Sequence, residues 1–380
     1  MNNNWIKGTI KDLVIPVEGK WDPVDNSNSL PYVGLEHLNS EQKNINKYGD
    51  SKTIKSLKNC FSKGDTLFGK LRPYLKKVAF ADKEGICSTD ILPLRANSNS
   101  DNSFVYYLLS SQSIIAKAVE SSAGNVMPRT SWKDIADLDI DIPPLPEQKK
   151  IAEILSGMDK VRNCYIRKKK KIVLCLEGLL SESFNDLKQN TPLIKIASFG
   201  DVITGSTPST SEANYYGGNI PFISPADIND DLFIDETKTK LTLEGLKMTR
   251  SIPEGSICVV CIGSTIGKVA ISSRNSATNQ QINSIMPGNY NKYYLYAAIK
   301  FFSKIIKQEA STHAVPIINK SKFSSLELPN PPLEIQQKIG RLIKDFNLMI
   351  DLLEKKTERL EKIKLALSSD LLSGRKRVNV

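Results

Sequence analysis

The chain writes one stretch twice, and that duplication limits its possible folds more than any other feature. IPPLPEQKKIAEIL opens at Ile142, and NPPLEIQQKIGRLI opens at Asn330. At an offset of 188 residues, Pro143-Pro144-Leu145 falls on Pro331-Pro332-Leu333, Gln148 on Gln336 and Ile151 on Ile339. A period this long, present twice, is too long for a solenoid. It means two large halves, each ending in the same kind of element. The halves themselves match. PYVGLEHL (31–38) falls on PFISPADI (221–228) at offset 190, and KGDTLFGKLRPYLKKVA (63–79) falls on EGSICVVCIGSTIGKVA (254–270) at offset 191. NVMPRTSWKDIADLDI (125–140) falls on HAVPIINKSKFSSLEL (313–328) at offset 188, so drift across a whole half is three residues.

Each repeated stretch predicts a long helix. The Pro pair holds the backbone extended just before it, and Pro near a first turn starts a helix well. In the first copy Ile151, Met158, Tyr165, Ile172 and Leu179 take heptad position a, while Ile154, Val161, Lys168 and Cys175 take d. In the second copy Ile339, Phe346, Leu353, Leu360 and Leu367 take a, while Leu342, Met349, Lys356, Ile363 and Asp370 take d. Strict 3-4 spacing over several heptads predicts a coiled coil. Lys168 and Lys356 share one d position, and two readings stand. They are a register device, since a polar seam residue costs stability and fixes register, or they snorkel past a ragged seam. Two helices of about 36 residues, at ~1.5 Å per residue, span roughly 50 Å, a rod able to hold two globular domains apart. The helical pattern fades at about Phe184, and NDLKQNTP (185–192) reads as a linker.

Between the repeats the pattern is mixed. LVIPV (13–17), PYVGL (31–35), TLFGKL (66–71) and KVAFA (77–81) are short strands among Gly, Pro, Asn and Asp. Residues 103–119 predict a helix capped by Asn102 or Ser103, with Phe104, Tyr107, Leu108 and Ile115 on one face; 291–306 predict its copy. At 380 residues, a prior of ~150 per domain gives two or three domains. No apolar run approaches the ~18 residues that span a membrane, and MNNNWIKGTIKD is not a signal peptide. The six Cys show no framework spacing, and the single CxxC, Cys258 and Cys261, lies in the apolar run ICVVCI. They read as buried strand thiols in a reducing cytoplasm. Net charge is +11. Residues 1–145 contribute +1 and 189–333 contribute +2, while 146–188 and 334–380 contribute +4 each, so most of the excess sits on the helical segments. Such a balance is compatible with a nucleic-acid partner and equally with solvated helix faces.

Catalytic signatures are missing. Asn330-Pro331-Pro332-Leu333 looks like the Asn-Pro-Pro-aromatic motif of adenine methyltransferases, but its fourth residue is Leu, which cannot stack on a flipped base. No Gly-rich cofactor loop precedes it, and its duplicate Ile142-Pro143-Pro144-Leu145 lacks the Asn, so a helix-starting motif explains both. Gly263 to Lys268 has three residues between its glycines and Val269 where a Walker A loop has Ser or Thr. Two His, with no partnered Cys or Ser nucleophile signature, leave little for triad chemistry.

Two halves, each followed by a similar long helix opening on PPLPEQ or PPLEIQQ, resemble one family, the specificity subunits of Type I restriction-modification systems. PPLPEQKKIAEIL (143–155), its copy at 331–343 and the closing LLSGR (371–375) carry the resemblance, with GSTIGK (263–268) and the Pro loops at 128 and 316. The first half departs from the family's GxxxGK-type loop with FGKLRPYLKK (68–77). The resemblance implies an α+β fold: two similar mixed α/β target recognition domains separated by two long antiparallel coiled-coil helices, with an internal pseudo-two-fold repeat. The expected domains are 1–142 and 189–330, with the helical regions at 143–188 and 331–380. It implies a cytoplasmic, non-catalytic reader of double-stranded DNA. Each domain reads one half of a bipartite asymmetric site, and the helices set the gap. Two methyltransferase subunits bring S-adenosylmethionine, translocating restriction subunits join them, and this chain binds no cofactor, metal or membrane.

The DNA-facing residues are expected on loops. In the second half Gly263, Ser264, Thr265, Gly267 and Lys268 offer backbone N–H groups, hydroxyls and a cation to phosphates; the alternative is a plain hairpin turn. In the first half Lys70, Arg72, Tyr74, Lys76 and Lys77 form a basic-aromatic loop, or a solvated one. Asn125, Arg129, Thr130, Ser131 and Lys133 follow, with His313, Asn319 and Lys320 in the duplicate. Arg pairs with guanine and Asn or Gln with adenine, which makes Arg129, Asn319, Gln280 and Gln281 candidates for base readout. Two other classes compete: a divergent DNA methyltransferase, which needs a cofactor site, and a coiled-coil scaffold without DNA readout, which leaves two elaborate matched domains unexplained.

Overall fold

The computed structural model describes residues 5–24, 29–40, 42–122, 128–229, 231–310 and 316–379. They form two compact units. The first unites residues 1–165 with 356–380, and the second spans 166–355. Each unit therefore holds one globular half together with a segment of each long helix.

In the first unit an antiparallel sheet orders Val14–Pro16, Ile91–Ala96, Thr66–Gly69 and Val78–Phe80. A second sheet contains Lys58–Phe61, Gly85–Cys87 and Pro31–Val33, the last two parallel. In the second unit Gly200–Thr204, Ile282–Pro287, Ile257–Val260 and Val269–Ser272 repeat the first sheet. Its second sheet copies the first unit's register residue for residue. Tyr32 faces Ile86 and Val33 faces Cys87, as Phe222 faces Ala277 and Ile223 faces Thr278. A duplicated hydrophobic pattern explains this, because a one-residue slip would turn every buried side chain outward.

The helix expected over 103–119 is two helices, Asn102–Leu109 and Gln112–Ser121. Asp101, rather than Asn102 or Ser103, caps the first by accepting the Phe104 N–H. Ser111 caps the second, since serine competes well for helix-starting N–H groups. The duplicate breaks likewise into Lys292–Phe301 and Ser303–Glu309, with Asn291 as first cap. These helices bury Phe104, Tyr107, Leu108 and Ile115 on Phe68, Val78 and Leu94, and also on Ile151, Leu155 and Leu371 of the long helices. Tyr294, Leu295 and Ile299 do the same in the second unit, against Ile257, Ile285, Phe184 and Ile339.

The first long helix, Leu145–Asn190, has 46 residues and the second, Leu333–Leu372, has 40. The first continues past Phe184 through most of the expected linker because Phe184 and Leu187 are buried in the second unit's core. Ile151 and Ile339 are buried; Met158, Tyr165, Ile172, Phe346, Leu353, Leu360 and Leu367 are half-buried, as are Ile154 and Leu342. Leu179 of the expected a row is exposed and Asp370 of the d row is half-buried, and the remaining d row is displaced. Val161, Lys168, Cys175, Met349, Lys356 and Ile363 are exposed, and the half-buried row runs one residue later through Arg162, Lys169 and Leu176 and through Ile350, Thr357 and Lys364. Adjacent apolar pairs such as Ile154-Leu155 and Met349-Ile350 fit either row. Ion pairs choose between them. Arg162 Nε meets Glu361 Oε1 at 2.6 Å and Lys364 pairs with Asp159 in the first unit, while Lys169 pairs with Glu354 in the second. Numbers rise on one helix as they fall on the other, so the segments are antiparallel. Lys168 and Lys356 face solvent and cannot set that register. Cys175 and the partly exposed Cys164 lie on the helix, so the Cys are not all buried strand thiols.

The repeated PPLxxQ motif has a local cause. Gln148 is 1% exposed and Gln336 2%. Gln148 Nε2 donates to Pro143 O (2.9 Å), and its Oε1 accepts the N–H of Asp101 (2.9 Å). Gln336 Nε2 donates to Pro331 O (3.0 Å), and its Oε1 accepts the N–H of Asn291 (3.2 Å). One side chain thus ties the Pro turn to the residue that caps the packing helix, in both units. A neighbouring clamp belongs to the first, because Ile335 stands at the place of Glu147 in the second. Glu147, with its side chain 4% exposed, takes Arg377 Nε (2.7 Å), Arg377 Nη2 (2.7 Å) and Trp5 Nε1 (2.9 Å).

Gln148→Ala leaves the buried Pro143 carbonyl and the half-buried Asp101 N–H unpaired, so it lowers unfolding free energy by about 1–3 kcal/mol. Urea denaturation of the wild type and variant checks this, and a loss below about 0.5 kcal/mol would reduce the residue to spacing alone. Burial pushes the Glu147 carboxyl up, but the Arg377 guanidinium, Trp5 and the Val378 N–H outweigh it and hold the group below the ordinary carboxylate range. A depressed folded value means stability present above the unfolded value of about 4.3 and lost as pH falls through the folded one. The melting temperature of the wild type should therefore fall more steeply than that of Glu147→Gln between about pH 5 and pH 3. Parallel curves would show that the clamp is not titrating.

Candidate nucleic-acid interface

Three loops meet at one place in each unit. In the first unit they are 70–77, between strands Thr66–Gly69 and Val78–Phe80, then 88–90, and then 128–130. Main-chain bonds hold them. Gly69 N–H donates to Lys77 O (2.8 Å), Lys70 N–H to Asp90 O (2.8 Å), Arg72 N–H to Pro128 O (2.8 Å) and Thr130 N–H to Lys70 O (3.0 Å). Ser88 N–H donates to Val33 O (2.9 Å), and Leu75 N–H to Arg72 O (2.9 Å). The second unit repeats all six. Val260 donates to Lys268 O (2.9 Å), Cys261 to Gln281 O (2.8 Å), Gly263 to Pro316 O (2.9 Å) and Ile318 to Cys261 O (2.9 Å). Asn279 donates to Ile223 O (3.0 Å), and Ile266 to Gly263 O (3.1 Å).

The scheme needs two left-handed residues per loop. In the second unit they are Gly263 (φ 99°) and Gly267 (φ 85°). At the equivalent places the first unit has Arg72 (φ 51°) and Lys76 (φ 50°), the only non-glycine residues with positive φ among those described. Left-handed backbone costs a non-glycine residue roughly 1–2 kcal/mol. Arg72 also precedes Pro73, which disfavours folded backbone at the preceding position.

The side chains on the shared scaffold differ sharply. In the first unit Arg72, Tyr74 and Arg129 are exposed. Arg129 is ion-paired with Asp90. Burial lowers the Lys70 pKa, and the nearby Arg129 and Lys20 charges lower it further. In the second unit the same places hold buried Cys261, exposed Ser264 and Gln280, half-buried Thr265 and Gln281, and exposed Ile317. Gln280 Oε1 accepts from Thr207 Oγ1 (2.6 Å), and Gln281 Oε1 from Asn279 Nδ2 (3.1 Å).

Several expected contact residues have structural duties. Lys77 Nζ donates to Leu35 O (2.6 Å) and Lys268 Nζ to Ile228 O (3.1 Å), so each lysine fastens the loop neck to the segment that follows a second-sheet strand, Pro31–Val33 or Tyr216–Ile223. Asn319 caps helix Lys320–Ser325 by accepting the Lys322 N–H (2.9 Å), and its counterpart Ser131 begins Trp132–Ala136, its own N–H held by Asp134. Lys133 and Lys320 are exposed on those short helices. Asn125 and His313 lie outside the described residues. Sequence reasoning named Gln280 and Gln281 without their counterparts Thr89 and Asp90, which the offset of 191 would have supplied.

Among the described residues no group of three or more His, Cys, Asp or Glu is placed to hold a metal ion, and no helix is long and apolar enough to cross a membrane. The Asn330-Pro-Pro motif serves the long helix, with Pro331 O taken by Gln336.

Comparison with known proteins agrees with this twofold scaffold. A solved S subunit of a Type I restriction-modification system from M. genitalium shares the fold at TM-score 0.62, with 18% identity, covering 98% of this chain and 96% of that one. A chain solved in work on complex assembly of a type I R-M system matches at TM-score 0.65, with 20% identity and 98% coverage of both. The HindI specificity subunit of Haemophilus influenzae is 25% identical over 73% of this chain and 79% of its own length. The putative MjaX specificity subunit of Methanocaldococcus jannaschii is 22% identical over 99% and 94%. The family model for the Type I restriction modification DNA specificity domain matches residues 2–174 and 191–362. With nearly its whole length so matched, in two stretches that follow its own internal repeat, the chain belongs to that family of Type I DNA specificity proteins.

Proposed function

We propose that this chain is the DNA-reading subunit of a Type I restriction-modification complex. Each three-loop cluster reads one half of a bipartite, asymmetric site. The observation that carries this is one main-chain scaffold built twice and dressed differently, cationic and aromatic in the first unit, amide and hydroxyl in the second. Arginine suits guanine edges and phosphates, and glutamine suits adenine. The chain itself performs no chemistry in this reading. A methyltransferase partner carrying S-adenosylmethionine modifies adenine, and a restriction subunit cuts or translocates. Exposed apolar side chains on the long helices, among them Leu348 and Leu352, offer partners a surface to cover. The paired helices set the gap between the half-sites.

The test is methylome sequencing of a host expressing this chain with its methyltransferase partner. Two short blocks with a fixed gap, methylated only when the chain is present, are expected. A complex that assembles yet adds no methylation would overturn the reader assignment. Removing residues 162–168 together with 355–361 keeps the antiparallel pairing and shortens each helix by one heptad, about 10 Å at ~1.5 Å per residue. That length is roughly three base pairs at ~3.4 Å each. The accepted gap should shrink by up to that amount while both blocks stay the same. An unchanged gap would refute the ruler.

A further inference from the structure

The two loops of the duplicated scaffold meet the same backbone demand with opposite residues. Where the second unit places Gly263, the first places Arg72, on left-handed backbone and before a proline. Both loops make the same main-chain bonds around this position, Arg72 to Pro128 and Gly263 to Pro316. The fold therefore asks for glycine here and receives arginine. A residue kept in strained backbone, with its side chain in solvent, points to a task outside the fold. Arg72 is exposed, and its guanidinium has no hydrogen-bond or ion-pair partner among the described residues. The strain has a geometric result. Pro73 is buried and opens the turn Pro73–Leu75, so the backbone on both sides of Arg72 is fixed and the direction of its Cα–Cβ bond with it.

We infer that Arg72 is a pre-aimed phosphate contact of the first recognition domain, and that the two domains grip the DNA backbone by different chemistry. This rests on the DNA-reading function proposed above. In the second unit a Cβ at Gly263 would meet nothing nearer than Gln281 Nε2 at 3.7 Å, so the loop is open for main-chain N–H groups and the Ser264 hydroxyl to approach an anion. In the first unit the arginine side chain fills that approach and replaces neutral donors with a charge. A cation on a phosphate releases a counterion, whereas neutral donors do not. The first half-site contact is therefore salt-sensitive at this loop, and the second is not.

Arg72→Gly separates strain from function. The complex of the full chain with its methyltransferase partner is titrated with a duplex carrying the methylated motif, over a range of salt concentrations. The variant chain should melt no lower than the wild type, because glycine relieves the backbone. Its complex should bind about tenfold more weakly at ~0.1 M salt, and the slope of log K against log salt should flatten by about one. Arg72→Lys should restore the slope. Arg72→Ala, which keeps the strain and loses the charge, should melt below Arg72→Gly and share its flattened slope. An Arg72→Gly chain that melts lower or does not fold would show that the arginine builds the loop. A wild-type slope in the Gly and Ala variants would remove Arg72 from the interface while leaving the reader function intact. A wild-type complex that does not bind the duplex would overturn that function itself.

Discussion

Everything in each unit hangs on one buried amide side chain. Gln148 and Gln336 each join, in one residue, the Pro turn before a long helix to the cap of the helix packed against the sheet. A carboxamide suits this role because it donates and accepts at once. Its donor takes the Pro143 or Pro331 carbonyl, and its acceptor takes the N–H of Asp101 or Asn291. Those N–H groups belong to residues whose own side chains cap the next helix. The direction of the long helix and the position of the sheet are thereby coupled through two hydrogen bonds. Burial strengthens them, since an unpaired amide in a dry core is expensive.

The long helices gain their pairing from a different balance. Their shared face is only partly apolar, and charged residues stand where a coiled coil usually has leucine. Arg162 with Glu361, and Lys364 with Asp159, lie between helices and are each partly covered. Such pairs contribute little net stability but penalise a wrong register, which would leave each charge facing an apolar or like-charged neighbour. Asp159 also accepts the Tyr107 hydroxyl (2.7 Å), and the Lys364 ammonium lies over the Tyr107 ring. The seam of the first unit is thus tied to its recognition domain by the same carboxylate that fixes its register.

The duplication was legible because offsets between copies need no knowledge of structure. Long helices, strands at 66–69 and 78–80 and the loops between them all follow from it. The phase of the seam was not legible. Ile154-Leu155 and Met349-Ile350 place apolar groups on both candidate rows, and the ion pairs that decide come from residues about 200 positions apart, as 162 and 361 are. Loop roles were hidden for a related reason. A lysine in a basic loop looks like a phosphate contact, yet Lys77 and Lys268 reach back to main-chain carbonyls of Leu35 and Ile228, distant in sequence. Asn319 looks like a base reader in a loop that is really a helix start. The positive φ at Arg72 and Lys76 could be suspected only by laying them on Gly263 and Gly267.

A reader that must change its target while keeping its fold has to separate the bonds that build the loops from the groups that touch the ligand. Here the separation is nearly complete. Six main-chain bonds recur in both clusters whatever side chains stand there, so this backbone scheme does not depend on the residues at the reading positions. Arg72 can stand for Gly263, Thr89 for Gln280 and Arg129 for Ile317 without disturbing the scheme. The side chains that do build the clusters, Lys77 and Lys268, are the same residue in both halves. Identity at Lys77 and Lys268 marks construction, a conservative difference such as Ser131 against Asn319 can still serve a helix start, and an exposed difference on unchanged backbone, as at Arg72 and Gly263, marks the surface free to specify.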